Sequence, residues 1–288
     1  KDSPSYSPFI EGNDVSAFPI SVGQLKYPFS QIALAERLGL VDVTDTFSAT
    51  ASCGEDRRTP DVVLVLSESQ TSPELLSGIA LPRKIIDSYR SGDGKIHSLF
   101  VETFGGGTWQ TNFSMLTGLS TADFGWQAPY VTQLMENRIK DSLPQMLAGC
   151  GYRTVSVMPM EYNFVNEGNF QTSIGIQEVY DAAAMQLSEQ RPRDSLYFEF
   201  ARKLMAEHRK RDRRPIFVTI QTMHTHGPYS GEIPENAATF RSLTDDPSLN
   251  EYLARVAASR EDLLAYRDGL AMDPGHRGTI FLEFGDHQ

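Results

Sequence analysis

The chain has 288 residues, of which 40% are hydrophobic and 22% charged. That balance suits a globular protein with a core large enough to hold buried polar sites, and it excludes wholesale disorder and fibrous classes. With 26 Lys and Arg against 37 Asp and Glu the formal net charge is −11, which repels phosphate backbones, so no nucleic-acid partner is expected.

Residues 1–59 are rich in Ser, Pro and Asp, with one apolar helical patch near Ile32–Leu40. They read as an irregular N-terminal arm or linker. The two cysteines, Cys53 and Cys150, are too few for a disulfide scaffold or a cysteine-based zinc site. The sequence leaves open whether they pair. No run approaches the 18 apolar residues of a membrane span, so this piece is expected not to cross a bilayer. The chain lacks an initiator Met and stops just after an apolar run at Gly285-Asp286-His287-Gln288. Both ends look cut, as in a fragment of a longer protein.

From Pro60 the pattern changes. Asp61–Ser67 is a continuous β-branched apolar run, the signature of a strand buried on both faces. Similar runs recur at Leu99–Thr103, Thr154–Met158, Ile216–Gln221 and Thr279–Phe284. Helices are predicted between them. Ser72-Pro73-Glu74 offers a cap with Pro at the first helical position. Leu143–Cys150 precedes one strand. Asp194 heads a helix to about Arg209 with apolar Leu196, Phe200, Leu204 and Met205, and Ser248-Leu249-Asn250-Glu251 has the form of a capping box. The basic cluster Arg209-Lys210-Arg211 with Arg213 and Arg214 reads as a solvated helix end. Strands alternating with helices predict an α/β fold, a three-layer α/β/α sandwich on a mainly parallel sheet. Residues 60–288 would form its catalytic domain, truncated at the C-terminus.

The polar residues fall directly after these strands. Glu68 follows the first, His224 and His226 follow Ile216–Gln221, and Asp286 and His287 follow Thr279–Phe284. Open α/β sheets put their ligands at those carboxyl ends. Glu68, Asp286 and His287 make a set of two hard oxygens and one imidazole suited to a divalent metal. The segment Phe104-Gly105-Gly106-Gly107-Thr108-Trp109 lets the backbone turn sharply into a helix whose first turn holds Thr108. Such a helix start suits a phosphate or sulfate, and the Thr108 hydroxyl is a candidate attacking oxygen where a metal lowers its pKa. The bland alternative makes Thr108 a helix cap. P-loop, nucleophile-elbow, HExxH and CxxC patterns are all absent.

Five stretches together resemble the alkaline phosphatase and sulfatase superfamily, nearest its phosphoglycerol and phosphoethanolamine transferase branch, which includes lipoteichoic acid synthase. They are Val63–Ser69, the Gly105–Gly118 segment GGGTWQTNFSMLTG, Gly151–Thr154, Met223–Tyr229 (MHTHGPY) and Phe284–Gln288 (FGDHQ). The resemblance implies an alkaline phosphatase-like sandwich and a metal held by Glu68, Thr108, Asp286 and His287. Thr108 would be the nucleophile, and His226 would contact the substrate phosphate or leaving oxygen. Gly107, Trp109 and His224 are carried as substrate-binding candidates, His224 with no firm counterpart. It further implies one divalent ion (Mn²⁺ or Mg²⁺ first, Zn²⁺ as the alternative), an anionic phospholipid or phosphodiester donor, and a glycan or lipid acceptor. The setting would be extracytoplasmic, as the soluble domain of a membrane-anchored protein. Hydrolysis of a phosphodiester, a two-metal phosphomonoesterase and an inactive anion-binding relative are the alternatives.

Two departures matter. Where that branch holds glycerol phosphate with a Trp and an Arg, this sequence places Val165 and Glu167, and a carboxylate cannot hold an anion as an arginine does. Formylglycine sulfatases need Cys or Ser in a C/S-x-P-x-R motif, whereas Thr108 is followed by Trp-Gln-Thr, so sulfate-ester hydrolysis is not expected.

Overall fold

In the computed structural model, residues 53, 59–71, 76, 78–189 and 191–287 are described. The Ile32–Leu40 patch, nearly all of the arm, the Ser72-Pro73-Glu74 cap and Gln288 lie outside them.

Five parallel strands form one sheet: β1 Asp61–Ser67, β2 Arg153–Val157, β3 Glu178–Tyr180, β4 Ile216–Gln221 and β5 Thr279–Gly285, in the order β3-β2-β4-β1-β5. Among the described residues the α-helices are α1 Arg83–Ser88, α2 Thr108–Thr117, α3 Val131–Leu134, α4 Leu143–Gly149, α5 Glu167–Ser173, α6 Ser195–Arg211 and α7 Pro247–Met272. Alternation along β1 divides the core. Val62, Leu64 and Leu66 pack with Trp109, Phe113 and Leu116 of α2 and Phe170 of α5. Val63 and Val65 face the other way, onto Tyr197, Phe198, Ala201 and Met205 of α6 and Leu263, Tyr266 and Leu270 of α7. Every residue of β1 and β4 is buried, and each such Val, Ile or Leu contributes roughly 1.5–3 kcal/mol of transfer free energy. The three-layer α/β/α architecture read from the sequence is therefore the observed one.

Several local expectations are corrected. Leu99–Thr103 is not a strand: Leu99 is 47% and Phe100 88% exposed, and polar residues fix the segment. Glu102 accepts from the Thr121 backbone N–H, and Thr103 donates to the Asp286 carbonyl at 3.1 Å. A short apolar run carries no periodicity to separate strand from loop. The buried face of α6 is Tyr197, Phe198, Ala201, Met205 and His208, while Leu196 is 45% exposed. The helix at 247 is capped by Asp246, whose carboxylate accepts from the N–H groups of Ser248 and Leu249. Glu251 instead accepts from Gly231 N–H at 2.7 Å and pairs with Arg255. Cys53 and Cys150 form a disulfide, with Cα atoms 5.2 Å apart, which joins residue 53 to the end of α4.

Candidate active site

Because the strands run parallel, the segments leaving β1, β4 and β5 emerge on one edge. β1 hands over to Glu68, which is 1% exposed. Its backbone is clamped from the β4 side: Glu68 N–H donates to Thr222 Oγ1 at 3.0 Å, and the Thr225 hydroxyl donates to the Glu68 carbonyl. β5 delivers Asp286, which is fully buried, and then His287. Ser69 N–H donates to Asp286 Oδ1 at 2.7 Å, and the hydroxyls of Thr103 and Thr111 donate to the Asp286 carbonyl at 3.1 and 2.5 Å. One donor atom each from Glu68, Asp286 and His287 lie within 4.8 Å of one another. His287 Nε2 is 3.2 Å from Asp286 Oδ2 and 3.6 Å from Glu68 Oε1.

Thr108 opens α2 and completes the cluster. Gly107 occupies the N-cap at φ 83°, and a Cβ there would stand 2.5 Å from Gln110 Nε2, so the turn requires glycine. Thr108 Oγ1 donates to Asp286 Oδ2 at 2.9 Å and Glu68 Oε2 at 3.2 Å. A capping hydroxyl would accept from the helix's own N–H groups; this one is turned to two carboxylates.

Burial, and then the charge of Glu68, push Asp286 up to about 7. Burial also works to raise Glu68, but hydrogen bonds from His287, Asp286 and Ser69 outweigh it and hold the group below its usual value. Two buried carboxyl groups in contact repel one another as they ionise, a repulsion that a bound cation would relieve. Donors about 2–2.6 Å from one ion stand about 3–5 Å from each other, which is the spread found here. Two carboxylates, an imidazole and a hydroxyl fit Mn²⁺ or Mg²⁺ and tolerate Zn²⁺.

The remaining candidates sit at different depths. His226 is exposed, its Nδ1 is 2.6 Å from the Gly227 carbonyl, and its charge reaches Glu68. Donation from Nδ1 leaves Nε2 as the ring's other functional nitrogen. His224 takes a different setting: its backbone N–H donates to Asp194 Oδ1 at 3.0 Å, and burial followed by the Arg193 charge lowers its pKa. Trp109 is 6% exposed, with its indole edge-on to Phe164 at 6.1 Å and Nε1 donating to the Pro129 carbonyl. The ring is a core element, and what Trp109 brings to the site is its place in the first turn of α2. Glu167 is 3% exposed and accepts from Asn112 Nδ2 at 2.6 Å and Gln171 Nε2 at 3.1 Å. The sequence reading did not single out Thr103, Thr111, Thr222 or Thr225. Only Thr111 carried a signal, three residues after Thr108 on one helix face.

A family model described as Sulfatase matches residues 60–287. The chain is 24% identical over 254 residues to an uncharacterized protein of Haemophilus influenzae, covering 80% of this chain and 44% of that one. It is 26% identical over 247 residues to a Rhizobium meliloti protein provisionally named for cyclic beta-1,2-glucan modification, covering 80% and 36%. The chain therefore spans less than half the length of these relatives. Among solved structures, the Listeria monocytogenes lipoteichoic acid synthase LtaP superposes with a TM-score of 0.62 at 16% identity, covering 89% of this chain and 62% of that one. The Streptococcus pyogenes phosphoglycerol transferase GacH, in complex with sn-glycerol-1-phosphate, gives 0.60 at 16%, covering 90% and 67%. The C-terminal periplasmic domain of Escherichia coli EptC, in complex with Zn, gives 0.56 at 17%, covering 82% and 65%. At such identities the likeness to the solved structures is one of fold. The family match spans nearly all the described residues, and the chain belongs to the sulfatase family.

Proposed function

We propose that this member of the sulfatase family transfers a phospho-group of the phosphoglycerol or phosphoethanolamine type. The donor is an anionic phospholipid or phosphodiester, the acceptor is a glycan or lipid hydroxyl, and the intermediate is a covalent phospho-threonine on Thr108. Glu68, Asp286, His287 and Thr108 would hold a divalent ion, which when bound would supply Lewis acidity to lower the hydroxyl pKa and offset phosphoryl charge. Thr108 Oγ1 gives its proton to the carboxyl group it already touches and bonds to phosphorus as the bond to the donor's leaving oxygen breaks. His226, turned by the Gly227 carbonyl, protonates that oxygen through Nε2. The start of α2 at Gly107 and Trp109 faces its backbone dipole toward the phosphoryl oxygens. In the second half the acceptor hydroxyl gives its proton to His226 and attacks phosphorus as the bond from phosphorus to Thr108 Oγ1 breaks, and the carboxyl group returns its proton to that oxygen.

The observation that carries this reading is the meeting of Thr108 Oγ1 with Asp286 at 2.9 Å and Glu68 at 3.2 Å. The glucan in the Rhizobium meliloti relative's name supports a glycan acceptor. An extracytoplasmic setting is supported by the Cys53–Cys150 disulfide, since such bonds persist in oxidising compartments. Glu167, tied to Asn112 and Gln171, offers no cation to a glycerol phosphate, so donor contacts come from other residues.

The test is peptide mass spectrometry after incubating the protein and Mn²⁺ with phosphatidylglycerol or phosphatidylethanolamine vesicles. A phosphoglycerol or phosphoethanolamine adduct on the Thr108 peptide is expected. Turnover with no adduct, even on rapid acid quench, assigns the attack to water and overturns the transferase mechanism.

A further inference from the structure

A second cluster of charge lies at the other end of the sheet. Glu68 follows the C-terminal end of β1, whereas Asp61 begins it, about 20 Å away at 3.3 Å per residue. There the end of α6, the turn before β4 and the turn before β5 enclose a cleft of about 260 Å³. Arg209, Lys210, Arg213, Arg214 and Arg277 line it, against the acids Asp212 and Asp273.

The acids are already engaged. Asp212 accepts from Arg214 Nε at 2.8 Å and from Arg214 N–H at 2.9 Å, and those bonds hold it down at about 2. Asp273 pairs with Arg202 at 2.5 Å and lies 3.6 Å from Arg209 Nη1. Lys210 pairs with Glu207 at 2.5 Å. Arg213 and Arg277 form no ion pair among the described residues. They are instead locked together, since Arg277 Nη2 donates to the Arg213 carbonyl at 2.6 Å. The Arg209 side chain is 8% exposed and pairs with Asp61 at 3.1 Å, while its Nη1, 3.6 Å from Asp273, has no hydrogen-bond acceptor. In a chain of net charge −11, this recess is lined by two guanidinium groups, Arg213 and Arg277, with no ion pair among the described residues.

A helix end that merely carries solvated cations needs no recess. A guanidinium group matches an oxyanion bidentately, and the cleft is large enough for a phosphate with a small substituent. We infer that this cleft between the end of α6 and the turn 273–278 binds a phosphate-type anion, through Arg213 and Arg277, at a site separate from the Thr108 centre. The inference is independent of the reaction proposed above. The anion is carried either by a lipid head group or by a soluble phosphate.

Isothermal titration of metal-stripped protein with inorganic phosphate tests it, with no ion at Glu68 and Asp286 to bridge a second phosphate. Flotation with vesicles containing phosphatidylglycerol, against vesicles of phosphatidylcholine alone, forms the second arm. The R213A/R277A double variant is compared with R211A, whose cation does not line the cleft. Saturable phosphate binding, tenfold or more weaker in R213A/R277A and unchanged in R211A, supports a soluble ligand. Flotation only with phosphatidylglycerol, lost in R213A/R277A alone, supports a head group. Turnover of a water-soluble phosphodiester stays at the wild-type rate in both variants. If neither phosphate nor vesicle binding differs between R213A/R277A and the unaltered protein, the site does not exist and the arginines are a solvated surface.

Discussion

Glu167 is the carboxyl group whose charge state the packing decides most directly. Its Oε1 accepts from Asn112 Nδ2 at 2.6 Å and Gln171 Nε2 at 3.1 Å. All three residues are buried, and Asn112 Oδ1 and Gln171 Oε1 have no hydrogen-bond partner. The cluster therefore has surplus acceptors and lacks a donor. Protonated Glu167 supplies one, and burial raises its pKa in that direction. Glutamine has the same shape, accepts on one side and donates on the other. Glu167→Gln is expected to change stability by less than about 1 kcal/mol. Glu167→Ala strips two buried amides of their acceptor and leaves a void. At roughly 1–3 kcal/mol per orphaned group, it should cost about 2–5 kcal/mol. Urea unfolding at pH 7 measures both. Because Asn112 lies one turn after Thr108 on α2, Glu167→Ala should also lower kcat for a soluble phosphodiester, with Glu167→Gln restoring it. If Gln is as damaging as Ala, the group is an ionised carboxylate and the proton count is wrong.

Thr108→Ala should abolish turnover at any Mn²⁺ concentration, while Thr108→Ser keeps part of it; wild-type turnover by the alanine variant would move the attack to another oxygen. Glu68→Ala should lose activity by weakened metal binding, so that millimolar Mn²⁺ restores a fraction of the rate; no rescue would argue for a different role. Asp194, fully buried, has its pKa raised to about 6 chiefly by burial. The folded state therefore holds the extra proton between about pH 4 and 6. Its contribution to stability should fall as pH rises through that window, by up to about 3 kcal/mol, and level off above it. Asp194→Asn should flatten that part of the stability–pH curve, and an unchanged slope would refute the shift. Reducing Cys53–Cys150, which closes a separation of 97 residues, should cost about 4–5 kcal/mol on the loop-entropy model, read as a lower thermal midpoint in reductant.

The sheet was legible because β1 and β4 are buried on both faces and read as continuous apolar runs, and because edge strand β5 is apolar too, although its Ile280 and Leu282 are each 48% exposed. The polar residues just after them were legible for the same reason: a chain leaving a dry interior has few grounds to place Glu, His or Asp there unless they act. Three-residue β3 was too short to register. Leu99–Thr103 misled because its anchors are the polar atoms of Glu102 and Thr103, which no hydrophobic pattern reports. Asp194 stood at the expected start of α6, yet its carboxylate makes no cap; it accepts from Met223 and His224 N–H groups at 3.2 and 3.0 Å. Partners so distant in sequence leave no local trace.

Those partners explain how separate strand ends become one rigid edge. Asp194 takes the Ser259 hydroxyl of α7, and Ser259 Oγ accepts from Gln70 Nε2 at 2.7 Å, two residues past Glu68. Gln70 in turn lies so close to β5 that a Cβ on Gly285 would stand 2.3 Å from its carbonyl oxygen. A buried chain of contacts thus runs from the His224 turn through α7 and the segment after β1 to the residue before Asp286. Each link is enclosed, where a hydrogen bond is strong and an orphaned group costly, so the loops cannot shift singly. Such a frame keeps Glu68 and Asp286 in contact despite their repulsion. The cost of holding two buried carboxyl groups together is borne by this network.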